Sequence, residues 1–121
     1  LVKTKKAAEN TIVVYDDLDL PVGGMKISFN RSSGGHRGVE SIIKSLKTEA
    51  FARIRIGICP TTPSGKLKKP SGDEAVQKHI LGAFKPAEMD ELKKIYKKIP
   101  QAVEMIITEG RERAMGEFNA G

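Results

Sequence analysis

The run Ile12-Val13-Val14-Tyr15, passing straight into Asp16-Asp17-Leu18-Asp19-Leu20-Pro21, constrains the fold more than any other part of the chain. Successive β-branched and aromatic residues with no polar residue between them read as a strand buried on both faces, the kind found inside α/β sheets. A buried strand so near the first residue needs neighbours on both sides, and the expectation is of a domain incomplete at its N-terminus. Met25-Lys26-Ile27-Ser28-Phe29 alternates apolar and polar, which predicts a strand with one wet face. Val39, Ile42, Ile43 and Leu46 recur at helical spacing. Arg53-Ile54-Arg55-Ile56-Gly57-Ile58 alternates again, with arginines on one face and isoleucines on the other. Strand, strand, helix, strand and then helices predict an α/β fold. The expected architecture is a three-layer sandwich with a mixed, partly parallel sheet flanked by helices, in a single domain over residues 1–121.

The connecting segments follow from turn and cap chemistry. Leu1 to Glu9 reads as the tail of a helix ended by Asn10, and Leu20 to Gly24 as a turn. Cys59 to Gly72, with three prolines, two glycines and three lysines, reads as a surface loop. Asp73 to Leu81 reads as a short helix stopped by Gly82. Pro86 is placed to open the next helix, with Met89, Leu92, Ile95, Tyr96 and Ile99 as its core face. Pro100 should kink or interrupt it, Val103, Ile106 and Ile107 continue the pattern, and Gly110 ends it. Arg111 to Asn119 is expected as a final short helix.

Composition narrows the classes of function. A net charge of +6 suits a polyanionic partner, nucleic acid above all, although a lysine-rich solvated surface accounts for the same charge. Aromatic residues make up only 5%, with no Trp, which disfavours a base-stacking platform. Apolar runs are a few residues long, so no transmembrane helix is expected. The lysine-rich start, Leu1 to Asn10, has no apolar stretch of the signal-peptide kind. The single Cys59 has no intramolecular disulfide partner, which fits a cytoplasmic setting.

Two clusters are candidates for chemistry. Asp16 follows the first strand, where α/β sheets place their ligands. A carboxylate there can orient a histidine, accept a proton or, with Asp17 and Asp19, hold magnesium; turn-forming aspartates before Pro21 are the plainer explanation. Gly34-Gly35-His36-Arg37-Gly38 allows close backbone approach, and the helix start behind it offers free amides to an anion. A tight strand-to-helix turn explains the same glycines. His79, beside Ile80, and Cys59, before Pro60, show no partner at catalytic or ligand spacing. Arg53 and Arg55 share a strand face and are suited to gripping phosphates, with Lys26, Lys66, Lys68 and Lys69 extending the patch.

Ile12 to Pro21 with Gly23, then Gly34-Gly35-His36-x-Gly38, then Arg53-x-Arg55-Ile56-Gly57-Ile58, together resemble bacterial-type peptidyl-tRNA hydrolases. Phe84 and Ala114-Met115-x-x-Phe118-Asn119 fit as well, so the likeness runs across nearly the whole chain. The resemblance implies a monomeric cytoplasmic esterase that cleaves the bond between a peptide and the acceptor end of tRNA, with no metal and no cofactor. It implies that Asp16 orients a catalytic histidine, with Asp19 as a supporting residue. Gly35, His36 and Arg37 would line the site near the peptide and tRNA end, while Arg55 and Lys26 would hold tRNA phosphates. Two departures stand out. Neither His36 nor His79 matches the family's catalytic histidine, and its N-terminal glycine-asparagine loop and Met-Asn segment have no counterpart. Arg37 stands where the family usually has Asn. The chain is therefore expected to resemble the C-terminal part of the enzyme and to be hydrolytically inactive alone. Its rivals are a non-catalytic RNA-binding α/β module and a metal-dependent phosphohydrolase built on Asp16, Asp17 and Asp19.

Overall fold

A computed structural model of the chain describes residues 9–68 and 84–119. The helix expected over 73–81, with His79, and nearly all of the expected N-terminal helix lie outside these residues. The described elements run β1 (Ile12–Pro21), β2 (Met25–Phe29), α1 (Arg37–Leu46), β3 (Ala52–Cys59), α2 (Pro86–Glu109) and α3 (Arg111–Asn119). The sheet is mixed and ordered β1-β3-β2, with β1 parallel and β2 antiparallel to β3. The α/β architecture, a partly parallel sheet flanked by helices, is the one expected.

The central strand of the described sheet is β3. All residues of β3 are buried, whereas β1 is the edge of the described sheet and leaves Val14 45% exposed. A strand can occupy the centre with alternating arginines when their charge is paired and hydrogen-bonded internally. On the isoleucine face, Ile54, Ile56 and the neighbouring Ile27 pack against Leu92 and Ile95 of α2 and Ala114 of α3. Burying an isoleucine such as Ile27 or Ile54 fully contributes about 1.5–3 kcal/mol. The arginine face is overlaid by the connections on either side of α1, described below.

α2 is continuous through Pro100, so the proline does not interrupt it. Pro100 lies on the exposed side, where water can satisfy the carbonyl it frees one turn back. The buried stripe of α2 is Leu92, Ile95 and Ala102. Tyr96 and Ile107, expected in the core face, are 52% and 71% exposed, and Met89 is also exposed. The helix is turned so that Lys93 and Tyr96, the residues after Leu92 and Ile95, face outward, while Val103 packs against the core. α3 lies along β2, with the Arg111 guanidinium 3.7 Å above the Phe29 ring. At its other end, Asn119 takes the Ile27 N–H on Oδ1 (2.7 Å) and donates Nδ2 to the Ile27 carbonyl (2.8 Å). A side-chain amide thus supplies the pair of bonds a further strand would give β2 at that residue.

Regular pairing of β1 with β3 ends where the acidic cluster begins. Asp16 pairs with Ile56 and Asp17 with Gly57; then the register shifts, and Pro21 meets Cys59. Four steps along β1 are matched by two along β3, so the end of β1 bulges over its neighbour. Gly57 makes this possible, because a Cβ there would fall on the Pro21 carbonyl. Asp16 therefore lies inside β1, at the last regular stretch, rather than after the strand.

Candidate active site

Near the end of the regular pairing between the parallel strands β1 and β3, the structure brings Asp16 and His36 together: Asp16 Oδ1 is 3.1 Å from His36 Nε2. His36 is the N-cap of α1, with extended backbone, and its Nδ1 accepts the Val39 N–H at 3.1 Å. Nδ1 must then carry a lone pair. The proton of the neutral ring lies on Nε2, which donates it to Asp16. Both ring nitrogens are committed, one to the helix and one to the carboxylate. The Tyr15 ring meets the imidazole edge-on, with centroids 5.1 Å apart. The pair remains partly accessible, at 27% for the His36 side chain and 42% for that of Asp16.

The glycine loop is shaped to hold this ring. Gly34 and Gly35 both have positive φ, which turns the chain sharply into α1. Ser33 braces the turn: its carbonyl accepts the His36 N–H, its Oγ accepts the Gly35 N–H, and the same hydroxyl donates to Glu40 Oε1. Gly38 leaves space for the imidazole, since a Cβ there would stand 3.0 Å from His36 Cε1. Asp19 is exposed and faces this loop, its Oδ2 lying 3.6 Å from where a Gly34 Cβ would be. Gly35 and Arg37 are exposed beside the pair, and Arg37 opens α1.

Arg55, expected at tRNA phosphates, is buried against neighbouring strands in the described structure. It is 4% exposed; its Nε donates to Asp17 Oδ2 at 2.6 Å and its Nη1 to Ser28 Oγ at 3.3 Å. Asp17 supplies the side chain with a largely buried counter-charge. Arg53 is wholly buried as well. Lys26, the register partner of Arg55 on β2, is exposed. Asp17 also takes the Asp19 N–H on Oδ1 at 2.7 Å, so its carboxylate is occupied on both oxygens. Among the described residues, no three histidine, cysteine or acidic side chains converge on a metal position, and the magnesium alternative loses its geometric support. Sequence reasoning considered Asp17 only as a metal ligand or turn former and gave Ser28 and Ser33 no role, yet these three do the bracing. The signal for Asp17 was the arginine pattern itself, since a buried Arg needs a carboxylate on a neighbouring strand.

Asp16 and His36 thus form a partly accessible carboxylate–histidine pair beside the parallel strands β1 and β3 of an α/β fold. The comparisons are specific: residues 1–121 match the model of the peptidyl-tRNA hydrolase family. A peptidyl-tRNA hydrolase of Aquifex aeolicus is 44% identical over 115 residues, covering 95% of this chain and 55% of that protein. One from a Synechococcus species is 41% identical over 110 residues, covering 91% and 45%. A crystal structure of a peptidyl-tRNA hydrolase in complex with N-propanol superposes with a TM-score of 0.76 at 26% identity, covering 95% of this chain and 54% of that one. The chain belongs to the peptidyl-tRNA hydrolase family and spans about half the length of the relatives it matches.

Proposed function

We propose that this chain serves in hydrolysis of the ester between a peptide and the acceptor end of tRNA, returning tRNA to translation. In this reading Asp16 orients a histidine base supplied from outside the described residues and stabilises its charged form after it takes a proton from water. His36, with neither nitrogen free for proton transfer, acts on the substrate side together with Gly35 and Arg37. Asp19 supports the loop. Exposed Lys26 and Arg37, in a chain of net charge +6, favour tRNA phosphates. The chemistry asks for neither metal nor cofactor. The rest of the reading is a single domain acting as a monomer in the cytoplasm; no helix among the described residues is long and apolar enough to cross a membrane.

The observation that carries the proposal is the placement of Asp16 against His36 at the strand ends, in a chain of this family. Family membership favours it over the non-catalytic RNA-binding module. The test is release of N-blocked aminoacyl groups from tRNA by a full-length protein carrying this segment. Asp16→Ala should lower kcat by roughly 10²–10⁴-fold. Unchanged turnover would remove Asp16 from the mechanism, whereas no release by the unsubstituted full-length protein would favour the binding module.

A further inference from the structure

One imidazole joins the first strand to the helix behind the glycine loop. His36 Nε2 donates to Asp16 Oδ1 on β1 at 3.1 Å, and His36 Nδ1 accepts the Val39 N–H of α1 at 3.1 Å. Histidine is an unusual residue to cap a helix; Ser, Thr, Asp and Asn fill that position best, through a side-chain oxygen. The ring is closely fitted. Tyr15 meets it edge-on from β1, and a Cβ at Gly38 would stand 3.3 Å from Nδ1. The ionisable groups around it come from both elements it joins. β1 supplies Asp16, Tyr15 and, facing the glycine loop, Asp19. α1 supplies Arg37 at its first position and Glu40, whose Oε1 takes the Ser33 hydroxyl. The loop between them holds the His36 N–H on the Ser33 carbonyl.

The two bonds ask opposite things of the ring. Nε2 needs a proton to give to Asp16, and Nδ1 needs a lone pair to hold Val39. A ring with one proton satisfies both. A second proton can go only on Nδ1, where it meets another N–H. The bond to Asp16 survives as a charge-assisted one, and the cap on α1 is lost. Val39 is 1% exposed, and a buried N–H left without a partner is costly. The first turn of α1 must then shift to reach water, taking with it Gly35 and Arg37 on either side of His36. Serine, threonine and asparagine keep an acceptor oxygen whatever the pH; a histidine does not.

We propose that His36 is a proton-operated latch between β1 and α1. With one proton on its ring, it holds the Asp16 carboxylate and the start of α1 as one unit. With two, it keeps Asp16 and releases the helix. Gly35 and Arg37 belong to the part that is released, so acid loosens the glycine loop and leaves the strand end in place. The latch is a property of the fold; only its consequence for hydrolysis rests on the functional reading above.

The test uses the whole 121-residue chain without substrate. Nitrogen NMR follows the His36 ring through its own titration, and hydrogen exchange gives the protection of the Val39 amide relative to its intrinsic rate at each pH. Val39 protection should fall roughly 2- to 30-fold, the range a lost helix cap spans, with the same midpoint as the His36 ring. The Nε2 proton should persist throughout. In His36→Asn, whose amide oxygen caps at every pH, Val39 should stay equally protected over that range. Constant Val39 protection through the wild-type titration overturns the proposal. So does a loss with a different midpoint, or a loss of the same size in His36→Asn. Unfolding of the wild type before His36 takes its second proton overturns it too. If His36→Asn does not fold, the two wild-type midpoints decide. None of these outcomes touches the role of Asp16 in hydrolysis, which is read from the turnover of Asp16→Ala.

Discussion

At Gly57 the space a side chain would fill is taken by the Pro21 carbonyl of the neighbouring strand, while the Gly57 N–H donates to the Gly24 carbonyl at 2.8 Å. Adding a methyl there forces backbone against backbone, which no rotamer change can relieve. Gly57→Ala should cost about 3 kcal/mol or more, at the upper end of overpacking, measured by urea unfolding. The same residue-level view separates what the sequence disclosed from what it concealed. The positions of Asp16 and His36 were legible, because strand-end carboxylates and glycine loops carry local signals. Their mutual hydrogen bond was not, since it spans twenty residues and depends on how α1 is capped. The burial of Arg55 was hidden for a related reason: alternating Arg and Ile fit equally a strand with one wet face and a central strand whose charges are paired.

Among the elements, α2 shows how helical periodicity leaves rotation open. Its apolar residues are broad enough to suit two neighbouring faces, and the sheet engages Leu92 and Ile95 while Tyr96 and Ile107 face outward. Ile95→Ala should destabilise the fold by about 2–5 kcal/mol, whereas Tyr96→Ser should stay within about 0.5 kcal/mol, both by urea unfolding. Equal effects would mean that the helix is turned otherwise. α3 matters through its last residue. Asn119→Ala removes both bonds to Ile27 and should cost about 2 kcal/mol, one for each bond, with faster amide exchange at Ile27. The position of α3 was readable from sequence; its use of an asparagine to satisfy a strand edge was not, because the partner residue is 92 positions away.

For the molecule as a whole, the account joins a fold, a family and an unfinished proton path. The mixed sheet and the α/β class followed from the order of apolar patterns, yet the strand order did not, since the central strand is the one with buried charges. Asp16 and His36 hold one another in place, and the only lone pair on the His36 ring is occupied by the first turn of α1. A neutral imidazole in that state has no acceptor to offer a water molecule. The most direct test is therefore metal-free release of N-acetyl-aminoacyl groups from tRNA by the 121-residue chain alone. The account predicts no release above the uncatalysed rate; turnover that disappears in His36→Gln would contradict it.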